Sequence, residues 1–295
     1  MKKSLTILAF AAAVLLAGCQ RKADNPNAGL KEIKFKASLE FETKVTATSF
    51  EEGDVIGLSI GDPLNVSRAK LTYSSGALTP EKTLYWPESM SPQAKASFMA
   101  WYPYGIFVDK DPMGNTIHFI IARDQYKEGK YEESDLLAAV TSASPAQDAV
   151  SLEFHHMFSR IKIKVVDQLH TDTFRDSQAD GFRSIGFIGL KRQAGVNLGE
   201  GSVEALSTSD DSIYPMRASD MNYWAIVVPQ TVTPEIVVTL NSGATRTYVP
   251  SAPISFNGGK QLSATLTLTD EDISFQWNIV DWEDDNQQIV FIQNE

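Results

Sequence analysis

The sequence predicts an all-β protein of two domains behind an export segment. Apolar residues alternate with polar ones in many short stretches, the two-residue period of half-buried strands. Clusters rich in Gly, Pro, Asn and Ser separate these stretches, and beyond the first segment no long window carries a 3.6-residue apolar stripe. The length of 295 residues suits two domains at roughly 100–200 residues each.

At the start of the chain, Lys2 and Lys3 precede an apolar run, Leu5 to Leu16, that ends in small residues, the composition of a signal peptide. The run is shorter than the roughly 20 apolar residues that a membrane-spanning helix needs. It leads into Leu16-Ala17-Gly18-Cys19, which resembles the lipobox of bacterial lipoproteins, in which the cysteine is acylated and becomes the first residue. Cys19 is the only cysteine, so intrachain disulfides and zinc-finger readings are excluded. Acyl chains contribute about 0.8 kcal/mol per buried CH₂, and several on one residue hold a protein at a membrane. Residues 1–18 are therefore read as a lipoprotein signal peptide and 19–32 as a lipidated tether, polar and aperiodic, with Pro26 and Gly29.

From there strand follows strand. Ile33, Phe35, Ala37, Leu39 and Phe41 share one face; Val55 to Ile60 is a β-branched run; Phe98, Ala100 and Tyr102 alternate before Pro103 stops the ladder. Thr116 to Ala122 repeats the pattern. Val150, Leu152, Phe154 and His156 then lie opposite Ser151, Glu153 and His155, and Ile161, Ile163 and Val165 opposite Arg160, Lys162 and Lys164. Further strands are expected at Ser184–Leu190, Tyr223–Val228, Glu235–Leu240, Leu262–Leu268, Ile273–Ile279 and Gln288–Ile292. Asn241 to Ala244 suits a hairpin turn with a residue at positive φ. Such spacing predicts sandwiches or barrels. The small, polar stretch Ser142 to Ala149 sets a boundary between domains at 33–147 and 148–295.

The formal net charge is −11, and removal of residues 1–18, which carry only Lys2 and Lys3, makes the remainder more acidic still. Such a body excludes nucleic acid as a partner, since phosphate binding needs a basic patch. No GxSxG elbow, HExxH helix or P-loop occurs, so the expectation is a protein that is not an enzyme and carries no cofactor or metal. His155 and His156 are strand neighbours that point to opposite faces and cannot grip one metal; His156 reads as a hydrogen-bonded boundary residue and His155 as solvent-facing. Asp281, Glu283, Asp284 and Asp285, and separately Asp270 to Asp272, offer oxygens to calcium but lack EF-hand spacing, and read as acidic turns. Trp86, Trp101, Tyr102 and Tyr104 either fill a core or form a platform for sugar rings.

Several segments now read together: Gly53-Asp54-Val55-Ile56-Gly57, Tyr85-Trp86-Pro87, Ala100-Trp101-Tyr102-Pro103-Tyr104, the run Leu152 to Ile161 (LEFHHMFSRI), Val227-Val228-Pro229-Gln230, and Trp277 to Trp282. With the lipobox, this order resembles the fimbrillin family, the subunits of type V pili and related surface adhesins, over most of residues 33–295. The resemblance implies two tandem transthyretin-like β-sandwich domains and export as a lipoprotein to the outer membrane surface, with other pilus subunits as partners. It also implies proteolytic maturation after a basic residue near the first strand, opening a groove for a neighbour's donor strand. Lys44, in Glu42-Thr43-Lys44-Val45-Thr46, is the basic residue so placed, where family members commonly carry arginine. The run Gln288 to Ile292 is either a donor strand or the last strand of the second domain.

Two functions are carried forward. The first is a structural or adhesive pilus subunit, exported through Cys19 and assembled by donor-strand exchange. The second is a monomeric surface lipoprotein that binds a host glycan or protein without polymerising. A sandwich hydrolase, the third possibility, has no nucleophile and base placed by any motif.

Overall fold

The computed structural model describes residue 27 and residues 29–39, 50–106, 117–168, 181–269 and 272–282. The described residues form strands and two single 3-10 turns, Tyr104–Ile106 and Glu132–Ser134. In the first half the strands are β1 (Phe35–Leu39), β2 (Val55–Ile60), β3 (Val66–Ser74), β4 (Ala77–Pro80), β5 (Ala96–Tyr102), β6 (Ile117–Ile120), β7 (Leu137–Ala143) and β8 (Val150–His156). The second half continues with β9 (Ser159–Asp167), β10 (Phe182–Ile188), β11 (Gln193–Asn197), β12 (Ser202–Leu206), β13 (Ser212–Ile213), β14 (Met216–Ser219) and β15 (Asn222–Val227). It ends with β16 (Gln230–Val232), β17 (Glu235–Leu240), β18 (Thr245–Tyr248), β19 (Ile254–Phe256), β20 (Lys260–Leu268) and β21 (Ile273–Asp281).

The alternation seen in the sequence is what forms these strands. In β8, Val150, Leu152 and Phe154 are buried while Ser151, Glu153 and His155 are exposed. The β17–β18 hairpin turns where the sequence predicts, with Gly243 at φ +89°. Gln288 to Ile292 lies outside the described residues.

Seven strands close into a small barrel in the order β1-β4-β3-β2-β5-β7-β8, completed by parallel pairing of β1 with β8. The second half forms a five-stranded sheet, β14-β15-β9-β20-β21, and a four-stranded sheet, β13-β10-β17-β18, with the short pair β16-β19. The chain crosses between the two halves, because β6 pairs with β11 in a three-stranded sheet, β12-β11-β6.

There are two apolar cores, one inside the barrel and one between the other sheets, and strands β5 and β7 serve both. Phe98, Ala100, Leu137 and Ala139 belong to the barrel core. Met99, Trp101 and Ala138, their neighbours along the strands, belong to the second core. Over Phe98–Trp101 and Leu137–Ala139 alternation therefore sorts residues between two interiors and not between interior and water, which is why every residue of these two stretches is buried.

Buried polar groups pin this arrangement. Gln125 is wholly buried, donating to the Ile226 carbonyl at 2.8 Å and accepting from the Ile226 N–H at 2.7 Å, so one side chain serves as a strand neighbour to β15. Gln230 does the same for Lys191, accepting from its N–H and donating to its carbonyl, both at 3.0 Å.

Gly57 of β2 lies opposite Trp101 of β5, and a Cβ there would fall 2.1 Å from Trp101 Cε2. The indole lies against bare backbone, so Gly57→Ala should cost about 1–3 kcal/mol through forced displacement of the ring. Urea unfolding followed by near-ultraviolet circular dichroism measures this, and in a Trp101→Ala background the added cost should drop to about 0.5 kcal/mol or less.

Candidate functional site

Strand β1 is short, and its alternation turns Phe35 and Leu39 into the barrel core while Lys36 and Ser38 face out. It pairs along its whole length with β8, from Phe35 opposite Val150 to Leu39 opposite Phe154. On its other side the pairing is brief: Phe35 opposite Leu78 of β4, preceded by a bridge between Glu32 and Tyr85. Ahead of the strand, the Ile33 N–H donates to the Leu84 carbonyl at 2.8 Å and the Trp86 N–H to the Lys31 carbonyl at 2.9 Å. The Lys31 ammonium donates to the carbonyls of Pro145 and Gln147 at 2.6 and 2.8 Å.

Beneath β1 lies an aromatic floor. Phe35 meets Phe98 edge to face at 6.2 Å, and Trp86 meets the same ring at 5.7 Å. Phe50 packs edge-on against Phe154 at 5.0 Å and Tyr102 at 5.6 Å. Each large apolar side chain that β1 buries contributes about 1.5–3 kcal/mol relative to exposure. Without β1, an edge of β8 would be unpaired and this floor open, a template for an added strand.

At the far end of β1 a cleft of about 370 Å³ separates the barrel from the five-stranded sheet. Leu39 and Phe50, the residues on either side of 40–49, both line it, and so does Trp282, the last described residue. The buried Arg160 organises its inner wall, with Nε donating to Gln261 Oε1 at 2.7 Å and a terminal nitrogen donating to the Trp282 carbonyl. The guanidinium also sits over the rings of Trp282, at 4.8 Å, and Trp224, at 5.6 Å. His156 stacks on Trp282 at 3.9 Å and 12°, and its Nδ1 is 3.0 Å from Asp135 Oδ1.

Across the cleft, the Tyr102 hydroxyl donates to Asp54 Oδ1 at 3.0 Å. Burial, reinforced by the Asp54 carboxylate, pushes the Tyr102 phenol well above its ordinary range, and burial does the same for Tyr131. Both phenols stay protonated at neutral pH. The Trp282 indole N–H is buried with no hydrogen-bond partner among the described residues.

The sequence-predicted site residues Cys19 and Lys44 lie outside the described residues. Lys44 falls in the segment bracketed by Leu39 and Phe50. Trp86 and Trp101 are buried in the two different cores, which removes them from any sugar platform. His156 is the hydrogen-bonded boundary residue expected, and His155 is exposed. Asp281 pairs with Lys260, residues 283–285 lie outside the described residues, and among the described residues no cluster of three or more His, Cys, Asp or Glu could hold a metal. Sequence reasoning missed the cleft. Arg160 and Trp282 sit in quoted motifs, but nothing in the sequence signals that Tyr131 and Asp135 face them.

A family model described as Fimbrillin-like matches residues 43–282. No curated protein matches the chain. Among solved structures, a candidate cell adhesion protein from Bacteroides uniformis shares 18% identity with a TM-score of 0.67, covering 86% of this chain and 99% of its own. A second, from Bacteroides ovatus, shares 16% identity with a TM-score of 0.66, covering 86% and 98%. A fimbrial protein from Bacteroides vulgatus shares 15% identity with a TM-score of 0.54, covering 85% and 99%. These identities speak to the fold, whereas the family match spans most of the sequence and takes in all six motif segments whole. The chain belongs to the fimbrillin-like family.

Proposed function

We propose that the protein is a structural or adhesive subunit of a cell-surface pilus, exported as a lipoprotein through Cys19 to the outer membrane and joined to like subunits by donor-strand exchange. The observation that carries this reading is β1: a five-residue strand over an aromatic floor, followed at once by the segment that contains Lys44. Cleavage at Lys44 would cut the covalent link between β1 and the rest of the barrel. A neighbour's strand could then supply the lost backbone bonds, with alternate side chains setting register. The solved relatives bear names of adhesion and fimbrial proteins, in keeping with a mechanical, non-catalytic role. In this reading the barrel and the sheets behind it are two transthyretin-like domains in tandem.

Two outcomes are expected. Limited trypsin treatment of the protein lacking residues 1–19 should give a new N-terminus at Val45 by mass spectrometry, followed by a ladder of oligomers in light scattering, and Lys44→Gln should abolish both. A Lys44-cleaved protein that remains monomeric would count against strand exchange.

A synthetic peptide of residues 286–295 should bind the cleaved protein and not the intact one. Acidic substitution of one alternating set, Ile289 with Phe291 or Val290 with Ile292, should abolish binding while the other set is tolerated. Fluorescence anisotropy of the labelled peptide reads both results.

A further inference from the structure

We propose that a groove between β10 and the link from β13 to β14 binds an anionic saccharide, held through its carboxylate or sulfate. The groove encloses about 460 Å³, within the range of small-ligand sites. It opens because β13 accompanies β10 only at Phe187 and Ile188. The chain then leaves toward Arg123, whose carbonyl accepts from the Tyr214 N–H at 2.8 Å, while the Tyr214 carbonyl accepts from the Gln125 N–H at 3.0 Å. The stretch of β10 before Phe187 therefore lacks a strand on this side among the described residues, and Ser184 and Ile185 form the floor.

The walls are arginine and tyrosine in a chain of net charge −11. Arg123, Arg183 and Arg217 line the groove with Tyr126, Tyr214 and Tyr223, against a single carboxylate, Asp124. Asp124 is itself neutralised by Lys127 at 2.7 Å and Arg123 at 3.4 Å. Arg123 is held in place, 3.1 Å from Asp210 and 5.0 Å over the Tyr214 ring. That ring is fixed in turn against Gly186, where a Cβ would fall 2.8 Å from it. Arg217 pairs with Asp220 at 2.6 Å.

Arg183 is different: it is exposed and has no ion-pair partner among the described residues. An arginine fork matches the two oxygens of a carboxylate or sulfate, and charge-assisted bonds of this kind are the strong ones. Tyr126, 58% exposed, lines the same groove with the Lys127 ammonium 5.9 Å from its ring centroid, and offers an aromatic surface suited to the C–H face of a sugar ring. The charge selects an acidic ligand and the ring selects a saccharide over a bare anion.

This site is independent of strand exchange, and its test uses uncleaved protein lacking residues 1–19. Calorimetric titration with trigalacturonate and with a sulfated chondroitin tetrasaccharide asks which charged group is accepted, and neutral galactotriose, pentaglutamate and inorganic sulfate serve as comparisons. Binding of either acidic saccharide is expected, at least tenfold tighter than any comparison probe and weakening with added salt. Arg183→Gln and Tyr126→Ala should each weaken it tenfold or more without moving the thermal unfolding midpoint. Equal binding of galactotriose, equal binding of pentaglutamate or sulfate, no binding of either acidic saccharide, or undiminished binding by Arg183→Gln would each overturn the proposal.

Discussion

A sheet has no exposed edge only while every strand keeps two neighbours, and in this barrel the last gap is filled by Phe35–Leu39. Strand β1 runs parallel to β8 and touches β4 at one register position. Its parallel direction matters, because a parallel neighbour cannot be reached by a tight hairpin. The chain passes once along β8 from Phe35 to Leu39 and continues into 40–49. Among the described residues β1 is the first strand of the barrel, so it closes the barrel from the N-terminal side of the other six strands.

Much of the packing in the rest of the molecule does not involve that strand. The outer faces of β5 and β7 are buried in the second core through Met99, Trp101 and Ala138, so these strands have packing that does not depend on β1. Gln125 ties the segment after β6 to β15, and β6 itself pairs with β11. Arg160, between Trp224 and Trp282 and bonded to Gln261, fixes the end of β21 to the start of β9. A hydrogen bond to a buried charged group of this kind contributes about 1.5–3 kcal/mol. The cleft between the two bodies is thus walled by rigid groups, and both Leu39 and Trp282, from which the chain continues into 40–49 and 283–295, open on it.

Much of the strand inventory was legible because period-two alternation reports a face that meets water. It was clear in β8, where Glu153 and His155 are exposed, and in Glu235–Leu240, whose bounds coincide with the expected ones. It was least informative in β5, buried on both faces from Phe98 to Trp101, and for Ser212–Ile213, too short to show a period. The motif segments were legible as a family pattern, and the structure shows what several of them do. Gly57 makes room for Trp101, Asp54 accepts from Tyr102, and Gln230 completes the backbone bonds of Lys191. The partners of Arg160 and His156 were not legible. Asp135 and Gln261 are ordinary polar residues in sequence; the antiparallel pairing of β7 with β8 brings Asp135 to His156, and the parallel pairing of β9 with β20 brings Gln261 to Arg160.

The central claim is that β1 must leave before subunits can join, and a reversible lock tests it. Ser38 and Glu153 are register partners on the outer face of the β1–β8 pair, and adjacent strands lie within disulfide reach. In the protein lacking residues 1–19, and so without Cys19, Ser38→Cys and Glu153→Cys would supply the only two thiols. The account predicts that the oxidised, protease-cleaved protein stays monomeric in light scattering and polymerises once reductant is added. Polymerisation at the same rate in both redox states would contradict it.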